Sequence, residues 1–405
     1  MNSAMEFNPL SPEFQANPYP YYEMLRSNAP VFFWENWGMW FLTRYEDCVA
    51  ALKSPHFGHE ITRVMTREEL GWGGEPPEIV APLYDMQHQW MLLKDTPDHT
   101  RLRTLVHKAF TPRIIERLRE RAQVITDDLI DKALPNGGMD LMSEFALLLP
   151  VTVIAEMLGV PPEDYEILHG WSRDIGDTLE FLEAEEIGVR GAKATVEFSA
   201  YLRELIAERR KAPKEDLISN LIAIEAEGDK LSEDEMVAMC ILLLFAGHET
   251  TVNLIGNGTL ALLRHPDQWA KLKTDPSLVK SAVEEFLRYD SPVQITTRFV
   301  MEDTEFAGQK MRKGQSVATM FGAANHDPAR FVNPSELDIT RDPNPHIAFG
   351  NGIHFCLGAP LARLEGQIAF ATLLRRLPDL QLATDNPPYR KTYVLRGLAK
   401  LPVTF

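Results

Sequence analysis

The chain has 405 residues, enough for one large domain or for two to three smaller ones. With 45% hydrophobic and 24% charged residues it has the composition of an ordinary globular protein, and three cysteines are too few for a disulfide framework. The formal net charge of −17 argues against a general nucleic-acid binder. The absence of a signal-like N-terminus or a membrane-length apolar run predicts a cytoplasmic protein that binds no membrane.

The first part of the chain alternates short helices and strands. We predict helices over residues 20–27 and 45–52 and, between them, a hairpin of two strands at 31–33 and 39–43. Residues 61–93 combine helix-breaking glycines and prolines with large apolar side chains. Such a long irregular segment within a compact domain is usually functional.

The middle of the chain is predicted to be helical up to a turn at residues 288–292. Helices start near residue 97 and are interrupted by proline-containing breaks near 135–138 and 161–162. Strands and turns follow, and a last helix is expected over residues 359–376. We therefore predict a mainly α protein with a smaller β region.

No internal repeat or linker divides the sequence. Proline-rich stretches occur, but they are too short to separate domains. We predict a single domain over residues 1–405, with residues 1–16 free to form a flexible N-terminus.

The most informative residue is Cys356, which lies in a glycine-rich loop just before the predicted last helix. The loop reads Phe349-Gly350-Asn351-Gly352-Ile353-His354-Phe355-Cys356-Leu357-Gly358 and is followed by Leu361-Ala362-Arg363. Glycines let the backbone turn tightly and lie close to a flat partner, and the amides that begin a helix stabilise a sulfur anion. Cys356 is therefore a candidate metal ligand, whereas Cys48 and Cys240 are interpreted as small buried hydrophobic residues.

A second motif lies in the apolar helix predicted over residues 235–263. It reads Ala246-Gly247-His248-Glu249-Thr250-Thr251. Ala246 and Gly247 leave room for a flat cofactor, and the Thr250 hydroxyl can bond to a carbonyl one turn earlier. A buried Glu249 is unfavourable without a partner or a purpose. Helical periodicity places His248 on another face, and we interpret it as structural.

Together these motifs resemble those of the cytochrome P450 family, in its soluble, bacterial, class I form. The resemblance extends over nearly the whole chain, from residue 17 to residue 403. It implies the P450 fold and a haem b cofactor whose iron is bound by Cys356. It also implies that Thr250 and Glu249 are the catalytic alcohol and acid that deliver protons during oxygen activation.

The resemblance assigns further residues to the haem and its surroundings. His99, Arg103, Arg298 and His354 match positions that bind the haem propionates. A buried structural network on the proximal side is expected from Glu285 and Arg288, with Arg330 as its third member. The residues expected to lie against the haem itself are Ala246, Gly247, Phe349 and Gly350.

The reaction implied is insertion of one oxygen atom from O₂ into a mid-sized hydrophobic substrate, by C–H hydroxylation or epoxidation. Electrons would come from a separate ferredoxin and ferredoxin reductase, because no flavin- or nicotinamide-binding pattern is visible. Two alternatives remain open: a peroxide-driven peroxygenase, and a haem-thiolate protein that binds or senses a ligand without turnover.

Substrate and partner remain open from the sequence. The candidate pocket residues, mostly apolar, are Trp90, Leu243, Leu244, Val293, Ile295, Tyr393 and Val394. Residues 101–121 hold seven Lys and Arg residues against two Glu residues, so this segment is a candidate docking surface for an acidic ferredoxin. We expect the protein to act as a monomer.

Overall fold

The computed structural model describes residues 7–110, 112–180, 185–226 and 231–405. The α-helices of these residues are α1 (Pro12–Ala16), α2 (Tyr19–Asn28), α3 (Tyr45–Lys53), α4 (Ala81–Gln87), α5 (Asp98–Ala109), α6 (Pro112–Ala133), α7 (Leu148–Leu158), α8 (Tyr165–Gly176), α9 (Glu185–Lys211), α10 (Leu217–Ala226), α11 (Glu233–Arg264), α12 (Pro266–Thr274), α13 (Val279–Tyr289), α14 (Phe321–Ala324) and α15 (Ala359–Arg376). The strands are β1 (Val31–Trp34), β2 (Met39–Leu42), β3 (Phe57–Gly58), β4 (Gly138–Asp140), β5 (Ile295–Val300), β6 (Thr304–Phe306), β7 (Gln309–Met311), β8 (Ser316–Met320), β9 (Gln381–Leu382) and β10 (Pro402–Thr404).

The strands form three small sheets. The largest has the order β1-β2-β8-β5-β3, and the others are β4-β10-β9 and the hairpin β6-β7. Strand β8 pairs in parallel with β2 and antiparallel with β5, with Thr296 opposite Thr319. This sheet fixes β5, whose residues line the cavity described below.

Helix α11 is the central element of the fold. Its start is defined by a capping box, in which the Ser232 hydroxyl accepts from the Glu235 amide and the Glu235 side chain accepts from the Ser232 amide. The helix is long and apolar enough to cross a membrane, but 78% of its most apolar 18-residue stretch is buried within the protein. Helices α7, α9, α13 and α15 pack around it, which is the environment of a core helix.

The sequence located most elements of the fold correctly. The predicted last helix and the observed α15 have the same bounds, and the strand pair near residues 31–43 is present. The segment 61–93 is largely irregular but includes the short helix α4.

The N-terminus differs from the prediction. Residues 7–16 do not form a flexible tail, because α1 buries Phe14 and the Phe7 ring packs against Phe14, Phe32 and Phe41. Clustered aromatic rings bury enough apolar area to order a short segment. Residues 1–6 lie outside the described part of the chain.

Candidate active site

An apolar cavity lies between α11, β5, α5 and the loop that precedes α15. Cys356 and Thr250 both line it, from the loop and from α11 respectively. Ala246 and Gly247 line it beside Thr250, and Phe349 and Gly350 line it beside Cys356. The cavity thus brings together two motifs that lie about a hundred residues apart in the sequence.

The loop around Cys356 is held in one tight conformation. The Cys356 amide donates a 2.9 Å hydrogen bond to the Phe349 carbonyl. Gly350 and Gly352 both have φ of +71°, which other residues rarely adopt. A Cβ atom on Gly352 would also lie 2.5 Å from the Leu52 carbonyl oxygen, so this glycine is required by both conformation and space.

The surroundings of the Cys356 sulfur have two opposite effects on its ionisation: burial disfavours the thiolate, and nearby amides and guanidinium groups favour it. Burial raises the pKa of the Cys356 thiol, and the amides of Gly358 and Ala359 together with the guanidinium groups of Arg103 and Arg363 partly offset this rise. A metal ion that binds the sulfur displaces the proton, and the same amides then stabilise the thiolate. Cys356 is therefore suited to metal ligation at the edge of the cavity.

Basic side chains collect at one end of the cavity. His99, Arg103, Arg298 and His354 line it, as the sequence predicted, and the His59 ring packs 4.8 Å from the His354 ring. The buried Nε2 atoms of His59 and His354 and both ring nitrogens of His99 have no hydrogen-bond partner in the part of the chain that the structure describes. Burial, followed by the charge of Arg298, lowers the pKa of His354 to about 3. Buried polar atoms need partners, so this cluster fits an anionic group with several acceptor oxygens, such as two carboxylates of a cofactor.

The catalytic pair predicted on α11 is divided between two environments. The Thr250 hydroxyl faces the cavity and donates a 3.0 Å bond to the Ala246 carbonyl. Glu249 does not line the cavity: it is 5% exposed and forms an ion pair with Arg390, with the His248 ring beside it. Burial would raise the pKa of Glu249, but the contacts with His248 and Arg390 outweigh burial and hold it well below its usual range.

The proximal network contains two of its three predicted members. Glu285 and Arg288 are fully buried and joined by two 2.7 Å bonds. Arg330 as the third member is wrong: its guanidinium lies over the Tyr45 ring, 5.3 Å from the ring centre. Arg341 takes this place and donates to both carboxylate oxygens of Glu285, at 3.2 and 3.1 Å.

Four of the seven predicted pocket residues line the cavity. These are Leu243, Val293, Ile295 and Val394. Trp90, Leu244 and Tyr393 do not, although all three are buried.

The three wrong pocket assignments share a cause, since each side chain packs away from the cavity. The Trp90 ring lies parallel to the Phe245 ring, with 6.3 Å between their centres, and it is Phe245 that reaches the cavity. Leu244 packs into the helical core. Tyr393 packs against Phe14 and Trp37. Burial was predicted correctly for these residues, but the direction of the side chain was not.

Sequence reasoning missed several residues around the cavity. Arg390 lies 141 positions from Glu249, and no local pattern marks it. Glu180 is a further case, because its carboxylate accepts from the backbone amides of Tyr393, Val394 and Leu395 at 2.6, 2.8 and 3.0 Å and so fixes the turn that carries two cavity residues. Only His59 offered a signal in the sequence, because it lies two residues before the segment 61–93 that was predicted to be functional.

Comparison with known proteins identifies the family. The family model for cytochrome P450 matches residues 178–396, which include both α11 and the Cys356 loop. The chain belongs to the cytochrome P450 family. The predicted fold, mainly α with a smaller β region, is thereby confirmed, as are the haem cofactor and the class of enzyme.

The relatives extend over the full length of the chain. Polyketide biosynthesis cytochrome P450 PksS of Bacillus subtilis (strain 168) is 44% identical, with 98% of both chains covered. Vitamin D(3) 25-hydroxylase of Pseudonocardia autotrophica is 43% identical, with 96% of this chain and 94% of the relative covered. The crystal structure of P450BioI in complex with hexadec-9Z-enoic acid ligated acyl carrier protein has a TM-score of 0.90 at 42% identity, and covers 97% of this chain and 99% of that one.

Proposed function

We propose that this P450 inserts one oxygen atom from O₂ into a C–H or C=C bond of a mid-sized hydrophobic substrate. The observation that carries the proposal is that Cys356 and Thr250 line one apolar cavity, with Glu249 buried directly behind Thr250. Haem, when bound by Cys356, supplies the oxidising chemistry, and thiolate ligation favours cleavage of the O–O bond.

The residues of the chain have distinct roles in this proposal. The propionates of the cofactor would be bound by Arg103, Arg298 and three histidines, His59, His99 and His354, whose unpartnered nitrogens would gain acceptors. Ala246 and Gly247 would leave room for the cofactor beside α11, and Phe349 and Gly350 would lie against it beside Cys356.

Proton delivery is assigned to the pair on α11. The Thr250 hydroxyl faces the cavity, so it would hold a proton donor at the cavity wall, and the Glu249 carboxylate behind it would supply the protons. The Arg390 ion pair keeps Glu249 ionised and fixed in position. A carboxylate that must carry a proton has to leave this ion pair for part of the cycle.

The coupling of reductant to product tests this assignment. Thr250→Ala and Glu249→Gln are expected to bind haem and substrate like the native protein but to form at least tenfold less product per reductant consumed. Ser219→Ala, on α10 and outside the cavity lining, is the matched loss of a hydroxyl. Unchanged coupling in both α11 variants would remove the pair from the mechanism.

Electrons are proposed to come from a ferredoxin and its reductase, with docking at the face formed by α5, α6 and the Cys356 loop. Arg103 already joins α5 to this loop through a 2.7 Å bond to the Phe355 carbonyl. Ion pairs reduce the charge of the basic segment, because Arg101, Arg119 and Arg121 contact Glu235, Glu116 and Glu156. Arg113 belongs to the predicted surface, but its side chain lies outside the described residues.

The docking proposal is tested by reduction rates. Lys108→Glu and Arg117→Glu are expected to slow reduction by ferredoxin, and the native rate should fall as ionic strength rises. Lys193→Glu, on α9, is the control for the change of net charge. If the reduction rate changes neither with ionic strength nor in Lys108→Glu and Arg117→Glu, the ferredoxin docks elsewhere.

The two alternatives from the sequence are distinguished by supplying either peroxide or the reductase system. A peroxygenase would form product with peroxide and not with the reductase system, and a sensor would bind its ligand without product under either condition. The buried Glu249 and its Arg390 partner favour the oxygen-dependent reaction, because a peroxygenase and a sensor can dispense with a proton supply.

The substrate class is proposed from the cavity and the relatives. Apart from the basic end, Asn351 and Cys356, the lining side chains are apolar or hydroxyl-bearing, which favours a neutral or acyl-chain substrate. One relative is named for polyketide biosynthesis, and another is seen with a fatty acid linked to acyl carrier protein. Spectral titration with a free fatty acid, the same acyl chain on a carrier protein, and a sterol would separate these classes. We also propose that the enzyme acts as a cytoplasmic monomer.

A further inference from the structure

Two histidines and the catalytic acid form a cluster behind the cavity. His169 on α8 and His248 and Glu249 on α11 each place one nitrogen or oxygen atom within 4.8 Å of the others. Among the described residues this is the group of side chains with the spacing of a metal site. His248 is fully buried, whereas His169 is half-buried, so the cluster can be reached from the surface past His169.

The His248 ring is oriented as metal-binding histidines are. Its Nδ1 lies 2.7 Å from the Leu244 carbonyl, to which it donates, and this bond directs Nε2 towards Glu249. Nε2 is buried, has no hydrogen-bond partner among the described residues and lies 3.5 Å from a Glu249 oxygen. The space between Nε2 and Oε1 can hold one cation: either the proton of a charged imidazole, which forms an ion pair with Glu249, or a metal ion that displaces this proton.

We propose that His169, His248 and Glu249 form a binding site for a divalent transition-metal ion such as Zn²⁺, and that the bound ion inhibits turnover. Imidazole and carboxylate are ordinary ligands of this ion, at about 2.0–2.2 Å. In a tetrahedral site the ligand atoms lie about 3.3 Å apart. The present separations, which reach 4.8 Å, therefore need to close by up to ~1.5 Å, through movement of the half-buried His169 ring. Water completes the coordination.

Arg390 does not occupy the position of the ion. It contacts Oε2 of Glu249, whereas the oxygen that faces His248 is Oε1. Asp177 lies 4.0 Å from the same guanidinium and offsets part of its charge. The carboxylate can therefore bind the guanidinium on one oxygen and the metal ion on the other.

Inhibition follows from the role of Glu249 and rests on the function proposed above. A metal ion on Oε1 holds the carboxylate deprotonated and occupies the surface route past His169. Metal binding itself does not rest on that function. Binding and inhibition are therefore measured separately.

The test uses the untagged holoenzyme, in which the His59, His99 and His354 cluster is occupied by the haem. Calorimetric titration with zinc sulfate is expected to show one saturable site. His169→Ala is expected to weaken binding by about tenfold or more, since loss of even an outer-shell partner of a metal commonly has this effect. His56→Ala is the matched control, because His56 and Glu302 form a surface pair 2.7 Å apart without a third ligand.

Turnover with the reductase system is then measured with and without zinc. Product formed per reductant consumed should fall with zinc in the native enzyme and in His56→Ala, recover with a chelator, and change little in His169→Ala. No saturable site, or equal zinc affinity in His169→Ala and the native enzyme, would overturn the metal site. Tight binding that depends on His169 but leaves coupling unchanged would keep the site and reject its inhibitory effect.

Discussion

Replacement of Arg341 tests the proximal network that the structure revealed. Glu285 is fully buried and accepts from Arg288, Arg341, the Asp338 amide and the Asn344 side chain. Arg341→Ala removes a cation that donates to both oxygens of this carboxylate. It also removes a 2.8 Å bond to the Val332 carbonyl. We expect the native state to be clearly destabilised.

The magnitude follows from the contacts that are lost. A hydrogen bond to a charged group contributes about 1.5–3 kcal/mol, and complete loss of a buried pair costs about 3–5 kcal/mol. Glu285 keeps Arg288 and two neutral donors, and the Arg341 side chain is 11% exposed, so water replaces part of the loss. We expect a decrease of about 2–3 kcal/mol in the free energy of unfolding. With a urea slope of ~3 kcal/mol/M, the midpoint would fall by roughly 1 M.

Arg330→Ala is the matched control, because the sequence alone favoured that residue. Its exposed guanidinium over Tyr45 contributes about 0.5–1 kcal/mol. Arg341→Lys keeps the charge but loses the forked geometry and should lie between the two. Urea unfolding followed by far-ultraviolet circular dichroism and by haem absorbance measures all three. Equal midpoints for Arg341→Ala and Arg330→Ala would refute the assignment.

Three further predictions concern the cofactor and the core. Cys356→Ala should abolish the absorption band of the reduced, carbon-monoxide-bound thiolate haem, while Cys48→Ala should retain it, because Cys48 is fully buried away from the cavity. His59→Ala should speed loss of haem to an acceptor protein by several-fold, and an unchanged rate would exclude His59 from the propionate site. Burial raises the pKa of Glu365 to about 8, above its unfolded value, so the folded state holds this proton more tightly and stability falls as pH rises from about 4.5 to 8. Glu365→Gln should therefore raise the free energy of unfolding at pH 9 more than at pH 5, by up to ~4 kcal/mol, and equal gains at both pH values would contradict the shift.

The sequence by itself determined the chemistry that depends on local pattern. The glycines and amides around Cys356 act within one loop, and Thr250 bonds to a carbonyl four residues earlier in its own helix. The bounds of α2, α3, α11, α15 and the strand pair β1-β2 also followed to within two residues, because periodicity and capping are local. For the same reason the Glu285 and Arg288 pair, one helical turn apart, was found correctly.

Only the tertiary structure decided the partners that come from distant parts of the chain. Arg341 reaches Glu285 across 56 positions, and Arg390 reaches Glu249 across 141. The choice of Arg341 over Arg330 depended on which guanidinium points to α13. The error at Trp90, Leu244 and Tyr393 has the same origin. A sequence records that a side chain is apolar, but packing decides which of two apolar surroundings it enters, and only one of them is the cavity.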